Sequence, residues 1–191
     1  MRMKKRNAGM SLVELVIVMA MLAVLSGVTL YSIASVPRYR ARECSRLIAS
    51  NLREVKITTL GKAKSNGDIV WELYKKGNSY YVRYVTGANG SSPVIMGEKK
   101  VSKGTLHVYY DSVADTNEIT DGKSLKLCFD RATGAIHGSD GAVITNAGDG
   151  SDWSSYGIKT DSNTPIQKII IKGGTTEYVI ALYPVTGKIE D

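Results

Sequence analysis

The chain has 191 residues, 43% hydrophobic and 23% charged. That is the composition of a folded protein, with room for one membrane-type segment and one modest globular domain. Two cysteines without C-x2-C spacing exclude a disulfide framework and a cysteine zinc site. The formal net charge of +7 is unevenly placed: residues 1–9 carry four cations and no acid, residues 38–56 carry six cations against two acids, and residues 57–191 balance 15 cations with 15 acids. A neutral body argues against bulk electrostatic binding of nucleic acid there.

The chain opens MRMKKRNAGMSLVELVIVMAML, with Arg2, Lys4, Lys5 and Arg6 ahead of Gly9. Met10 to Val36 is an apolar run of 27 residues whose only charged side chain is Glu14. At about 1.5 Å per residue it outspans the ~30 Å hydrocarbon core, so a single membrane span is expected. A cleavable secretory signal is the rival. Ser32-Ile33-Ala34 imitates a signal cleavage site, but a signal's apolar core is shorter, about 7–15 residues. Cations flank both ends of the run, so counting them does not set its orientation.

Pro37 follows, and its ring removes a helical hydrogen bond. Beyond it, RYRARECSRLIASNLREVKITTLG resumes helical spacing. Cys44, Leu47, Ile48, Leu52 and Val55 fall on one stripe, with Arg42, Arg46 and Arg53 off it. The arginines are expected to snorkel toward lipid headgroups and solvate the exposed side. Gly61 is the expected stop.

After residue 66 the pattern changes to period two. DIVWELYK and SYYVRYVT flank Lys76-Gly77-Asn78 and read as a hairpin. GTLHVYYD and SLKLCFD are further strands. IQKIIIK and TTEYVIALYP flank Gly173-Gly174, a strong hairpin signal. A last short strand, KIED, follows Thr186-Gly187. Residues 87–93 and 138–165 read as loops. The expected fold class is α+β, a long N-terminal helix packed on an antiparallel sheet. Its parts are a basic leader (1–9), an apolar half-helix (10–36), an amphipathic half-helix (37–61) and a sheet head (62–191).

Signatures of catalysis are missing: no G-x-S-x-G, H-E-x-x-H, P-loop or dinucleotide fingerprint occurs. His107 in a strand and His137 in a turn are expected to be structural. No enzyme activity, cofactor or metal is expected. Asp115-Thr116-Asn117-Glu118 begins like a calcium loop, but Ile119 and Lys126 stand where ligands belong. A Cys44–Cys128 disulfide would need the two residues to meet across the helix–sheet interface. The alternation that puts Leu125, Leu127 and Phe129 on one face puts Cys128 on the other, so two separate small hydrophobes are expected.

The Lys-rich leader, Gly9, M-S-L-V-E-L and the apolar run together resemble the type IV prepilin N-terminus. In that family a short basic leader ends in Gly, an apolar residue follows, and Glu stands at the fifth mature position. Gly9, Met10 and Glu14 match these places. The resemblance implies that a prepilin peptidase/N-methyltransferase cuts between Gly9 and Met10 on the cytoplasmic side and methylates the new Met10 amine. It implies an orientation too, leader in and head out, in the cytoplasmic membrane. Glu14 is then implied to set register among packed subunits. From physics alone, a carboxylate in hydrocarbon costs several kcal/mol unless paired or neutralised. Residues 10 and 14 are about 6 Å apart along one helix, and a neighbouring helix shifted by about a turn could supply its amine instead.

The later stretches LCFDRATGAI and YVIALYPVTGKI are similar to H-type pseudopilins and related minor pilins. The implied function is a structural subunit of a type IV pilus or a type II secretion-like filament. Its partners would be other pilin or pseudopilin subunits, with a secreted substrate or DNA as further partners. The alternative is a membrane-anchored or secreted binding domain, an adhesin using the 138–165 loop.

Overall fold

The computed structural model describes residues 11–60, 69–86, 94–102, 105–143 and 165–191. The chain is α+β. Among the described residues one α-helix, α1 (Leu12–Leu60), carries Pro37 inside it, and nine strands follow. Two units divide it, Met1–Val36 and Pro37–Asp191.

In the second unit the strands form two antiparallel sheets. β1 (Ile69–Lys76), β2 (Ser79–Thr86), β3 (Val94–Lys100), β5 (Lys123–Phe129) and β6 (Ile136–Ala142) make a five-stranded sheet in the order β3-β2-β1-β5-β6. β4 (His107–Tyr110), β7 (Lys168–Gly173), β8 (Thr176–Tyr183) and β9 (Lys188–Glu190) make a four-stranded one in the order β4-β7-β8-β9.

Both sheets share one core with the helix. Ala41, Cys44, Ile48, Leu52 and Val55 follow each other at steps of three and four and are all buried. Against them lie Trp71 and Leu73 of β1, Leu125 and Leu127 of β5, and Ile169 and Ile171 of β7. Leu47, expected on the stripe, is only half-buried at its edge. A polar tie through this core runs from Trp71 Nε1, which donates to Asn51 Oδ1 at 2.7 Å. It satisfies two buried polar groups at once.

The second face of the five-stranded sheet is buried as well at its central strands β1, β2 and β5. Glu72 and Arg83 are directly opposed, with Arg83 Nε donating to Glu72 Oε2 at 2.7 Å. The Arg83 guanidinium lies 4.6 Å from the Tyr74 ring centre, and Lys126 opposes Glu72 from the other side. Burial pushes the Lys126 ammonium below its ordinary range, against the pull of Glu72 and Asp140.

Two sequence expectations change. The loop read at 138–165 begins as strand, because β6 runs Ile136–Ala142, and His137 is therefore in a strand and not a turn. Its Gly, Ser and Asp residues hid it. Gly138 is required by close approach, since a Cβ there would meet Leu127 Cδ2 at 2.4 Å. β3 was not foreseen at all. The Cys44–Cys128 disulfide does not form, and the two cysteines are separate small hydrophobes as the strand alternation led us to expect. Cys44 is in the helix–sheet core. Cys128 is buried on the opposite face, where its Sγ donates to the His137 carbonyl at 3.7 Å. Residues 87–93, Gly61 and most of the 138–165 stretch lie outside the described residues.

Candidate functional site

Ser11 is the residue at which the first helix begins. Its Oγ accepts from the Glu14 backbone N–H at 3.3 Å, and its carbonyl accepts from Leu15 N–H at 3.1 Å. Ser-x-x-Glu is the pattern of a capping box, in which the side chain of the first residue satisfies an orphan N–H of the first turn. The acid in that turn, Glu14, also complements the positive end of the helix. The expectation from sequence dwelt on Glu14 and missed Ser11, although the S-x-x-E spacing marked it.

Around this turn nothing apolar is covered. Leu12 is 78% exposed, Ile17 49% and Val18 38%, and at about 100° per residue they point to different sides of the helix. An all-round apolar helix of this kind is not stable facing water. It needs lipid or other helices around it. Glu14 is the one charged group in that surface. Gly9 and Met10 lie outside the described residues, so of the expected site residues the structure places Glu14, Cys44 and Cys128. Among the described residues no helix is long and apolar enough to cross a membrane. The expected span at 10–36 includes Met10 and the side chains of residues 28–35, outside that description.

Residues 4–30 match the prokaryotic N-terminal methylation motif. This is the prepilin-type cleavage and methylation motif, and the matched stretch contains Gly9, Met10 and Glu14. It marks a type IV pilin-like precursor and implies processing by a prepilin peptidase and assembly with other pilins. No curated protein and no solved structure matches the chain.

The head brings together two stretches that are distant in sequence. In the turn after β5, Asp130 Oδ1 accepts from the N–H groups of Ala132 and Thr133 at 2.8 and 2.7 Å, which holds its carboxyl below the usual range. The turn before β9 ends in Thr186-Gly187. The two are stitched by Ile136 N–H to the Pro184 carbonyl at 2.7 Å. Lys56 of α1 caps the second turn, donating to the Gly187 carbonyl at 2.8 Å. Gly187 has φ +63°, and a Cβ there would lie 1.8 Å from the Gly134 carbonyl oxygen. The two Thr-Gly turns therefore form one contact under the end of the helix.

The polar groups considered for metal binding are engaged elsewhere. Glu118 contacts His107 Nδ1 at 2.6 Å. The Thr116 carbonyl accepts from the Lys123 ammonium, which also reaches Tyr110 Oη at 3.0 Å. Tyr110 in turn donates to Asp140 Oδ2 at 2.9 Å, so this network joins β4 of one sheet to β5 and β6 of the other.

Proposed function

We propose that this chain is a structural subunit, a minor pilin or pseudopilin, of a type IV pilus or type II secretion-like filament. The observation that carries the reading is the coincidence of the methylation motif at 4–30 with a bare apolar helix that holds one acid, Glu14. In the proposed cycle, residues 10–36 first cross the cytoplasmic membrane, leader inside and head outside. Cleavage after Gly9 creates an α-ammonium at Met10. In a bundle of such helices, Glu14 meets that amine on a neighbouring subunit, and the charge-assisted contact fixes axial register. The same pairing lowers the cost of keeping a carboxylate among apolar side chains.

Mass spectrometry of the mature N-terminus, after co-expression with a prepilin peptidase, tests this. N-methyl-Met10 is expected. A mature chain starting at Ser35 would instead identify an ordinary secretory signal and a secreted binding domain. Glu14→Ala should leave cleavage largely intact and lower incorporation into filaments. Wild-type incorporation of that variant would sink the register role.

A further inference from the structure

Between Pro37 and Leu60 one side of α1 faces the core and the other faces solvent. Arg38, Arg42 and Arg46 are all on the solvent side, at successive steps of four residues. At about 100° and 1.5 Å per residue they occupy an arc of about 80° and about 12 Å of axis. Arg53 shares that arc, but it is tied to the Asp191 carboxylate and the Ile189 carbonyl. Arg40 faces elsewhere. Arg38 Nε donates to Thr176 Oγ1 at 3.1 Å, which leaves its two terminal nitrogens to other partners. Among the described residues, Arg42 and Arg46 meet no carboxylate.

The row starts where the apolar segment ends. From Leu15 to Pro37 no residue is charged, and Arg38 is the first cation after Glu14. Tyr39, beside the row, is 71% exposed. A tyrosine with an apolar ring and a polar tip next to arginines at the end of an apolar helix suits the headgroup layer of a bilayer. Guanidinium forks suit the phosphate oxygens found there. A nucleic acid offers the same phosphates. The row, however, is short, adjoins the apolar segment, and continues into a body with no net charge.

We propose that Arg38, Arg42 and Arg46, with Tyr39, form a one-sided binding face for the phosphates of anionic lipids. The face holds the head against the outer leaflet, in one rotational setting, until the subunit enters a filament. This rests on residues 10–36 being the membrane segment. Each arginine near an anionic surface is expected to strengthen the contact about fivefold.

The full chain with Ser50→Cys, labelled there with a fluorophore, tests it in vesicles of phosphatidylcholine alone or doped with phosphatidylglycerol. Ser50 is exposed, whereas Cys44 and Cys128 are buried, so the label is selective. Quenching by headgroup spin-labelled lipid should be stronger in the anionic vesicles. It should fall at high salt and fall about 25-fold in apparent affinity for Arg42→Gln/Arg46→Gln. Flotation with both vesicles but equal quenching, or quenching unchanged by the double substitution, overturns the lipid face alone. Failure to float with either vesicle overturns the membrane segment and the face with it. Displacement of the label from lipid by short single-stranded DNA, lost in the same double variant, would reassign the row to nucleic acid and overturn the lipid assignment.

Discussion

Leu22 and Leu52 belong to one helix and meet opposite surroundings. Leu22 is 57% exposed, in a stretch whose apolar side chains all face outward, while Leu52 is fully buried against the sheets. The residue type is the same, and so is the backbone. What differs is the neighbouring pattern. Around Leu52, arginines and a glutamate alternate with the apolar stripe and mark a side for water. Around Leu22 no polar side exists, so nothing tells water from core. The second half of the helix is built for the head's own core, and the first half lacks the polar side that would face it to water.

The most severe way to separate the halves is to break the head without touching the first. Gly187→Ala puts a Cβ against the Gly134 carbonyl at a positive φ. The turn must open, and a loss of about 4 kcal/mol or more is expected. For a domain of this size that lowers the midpoint of thermal unfolding by about 10 °C. Circular dichroism of the full chain in detergent reads it, and leader cleavage should proceed as before. A melting curve like the wild type would mean that the two Thr-Gly turns are not held together.

A paired truncation sharpens the contrast. Leu52→Ala should cost the head about 2–5 kcal/mol, from lost transfer energy and the cavity left behind. Leu22→Ala should leave head unfolding unchanged and lower recovery in the membrane fraction and in filaments. Equal effects of the two on head stability would deny that the halves are energetically separate.

A smaller effect comes from alkali. Burial pushes the Cys44 thiol from 9.0 up to about 12, with Glu43 adding to the push. The folded state disfavours the thiolate, so this contribution is full below about pH 9 and is lost as pH rises toward 12. By about pH 10 the loss amounts to roughly 1.4 kcal/mol. The fall between neutral pH and pH 10 should flatten in Cys44→Ala. Above pH 10 the decline continues in that variant, because burial also raises Tyr74 to about 12 and Tyr80 further. Neither thiol should react with iodoacetamide at neutral pH until the head unfolds, and denaturation should expose two.

Much of this was legible in the sequence, for a physical reason in each case. The helix stripe could be read because one side is buried and the other is not. The hairpins at Gly77 and Gly173 could be read because turn chemistry is local. The methylation motif at residues 4–30 could be read because it is written as a contiguous pattern in the sequence. β6 was hidden because an edge strand passing close to Leu127 tolerates glycine where strands usually carry bulk. The Glu72–Arg83 pair was hidden for another reason. Alternation assigns Glu72 to the face away from the helix, and that is correct. It does not say that the face is covered, and there a charge is buried only because a partner on the next strand meets it.

The smallest expected effect lies at the start of the helix. Ser11→Ala removes the Oγ that accepts from the Glu14 N–H, and by the usual worth of an N-cap it costs the first turn about 1 kcal/mol. Head unfolding should not move, because Ser11 and the head belong to different units. Hydrogen exchange in detergent should quicken at the amides of Glu14 and Leu15, by about fivefold, and stay unchanged beyond Ile48. Ser11→Thr should restore most of the protection, because threonine also caps. If protection at Glu14 is the same in Ser11→Ala, the first turn is held by its surroundings and not by its own cap. The carboxylate would then owe its position to the neighbouring helices. The result therefore decides whether the motif's acid is presented by its own chain before assembly or is placed only on assembly.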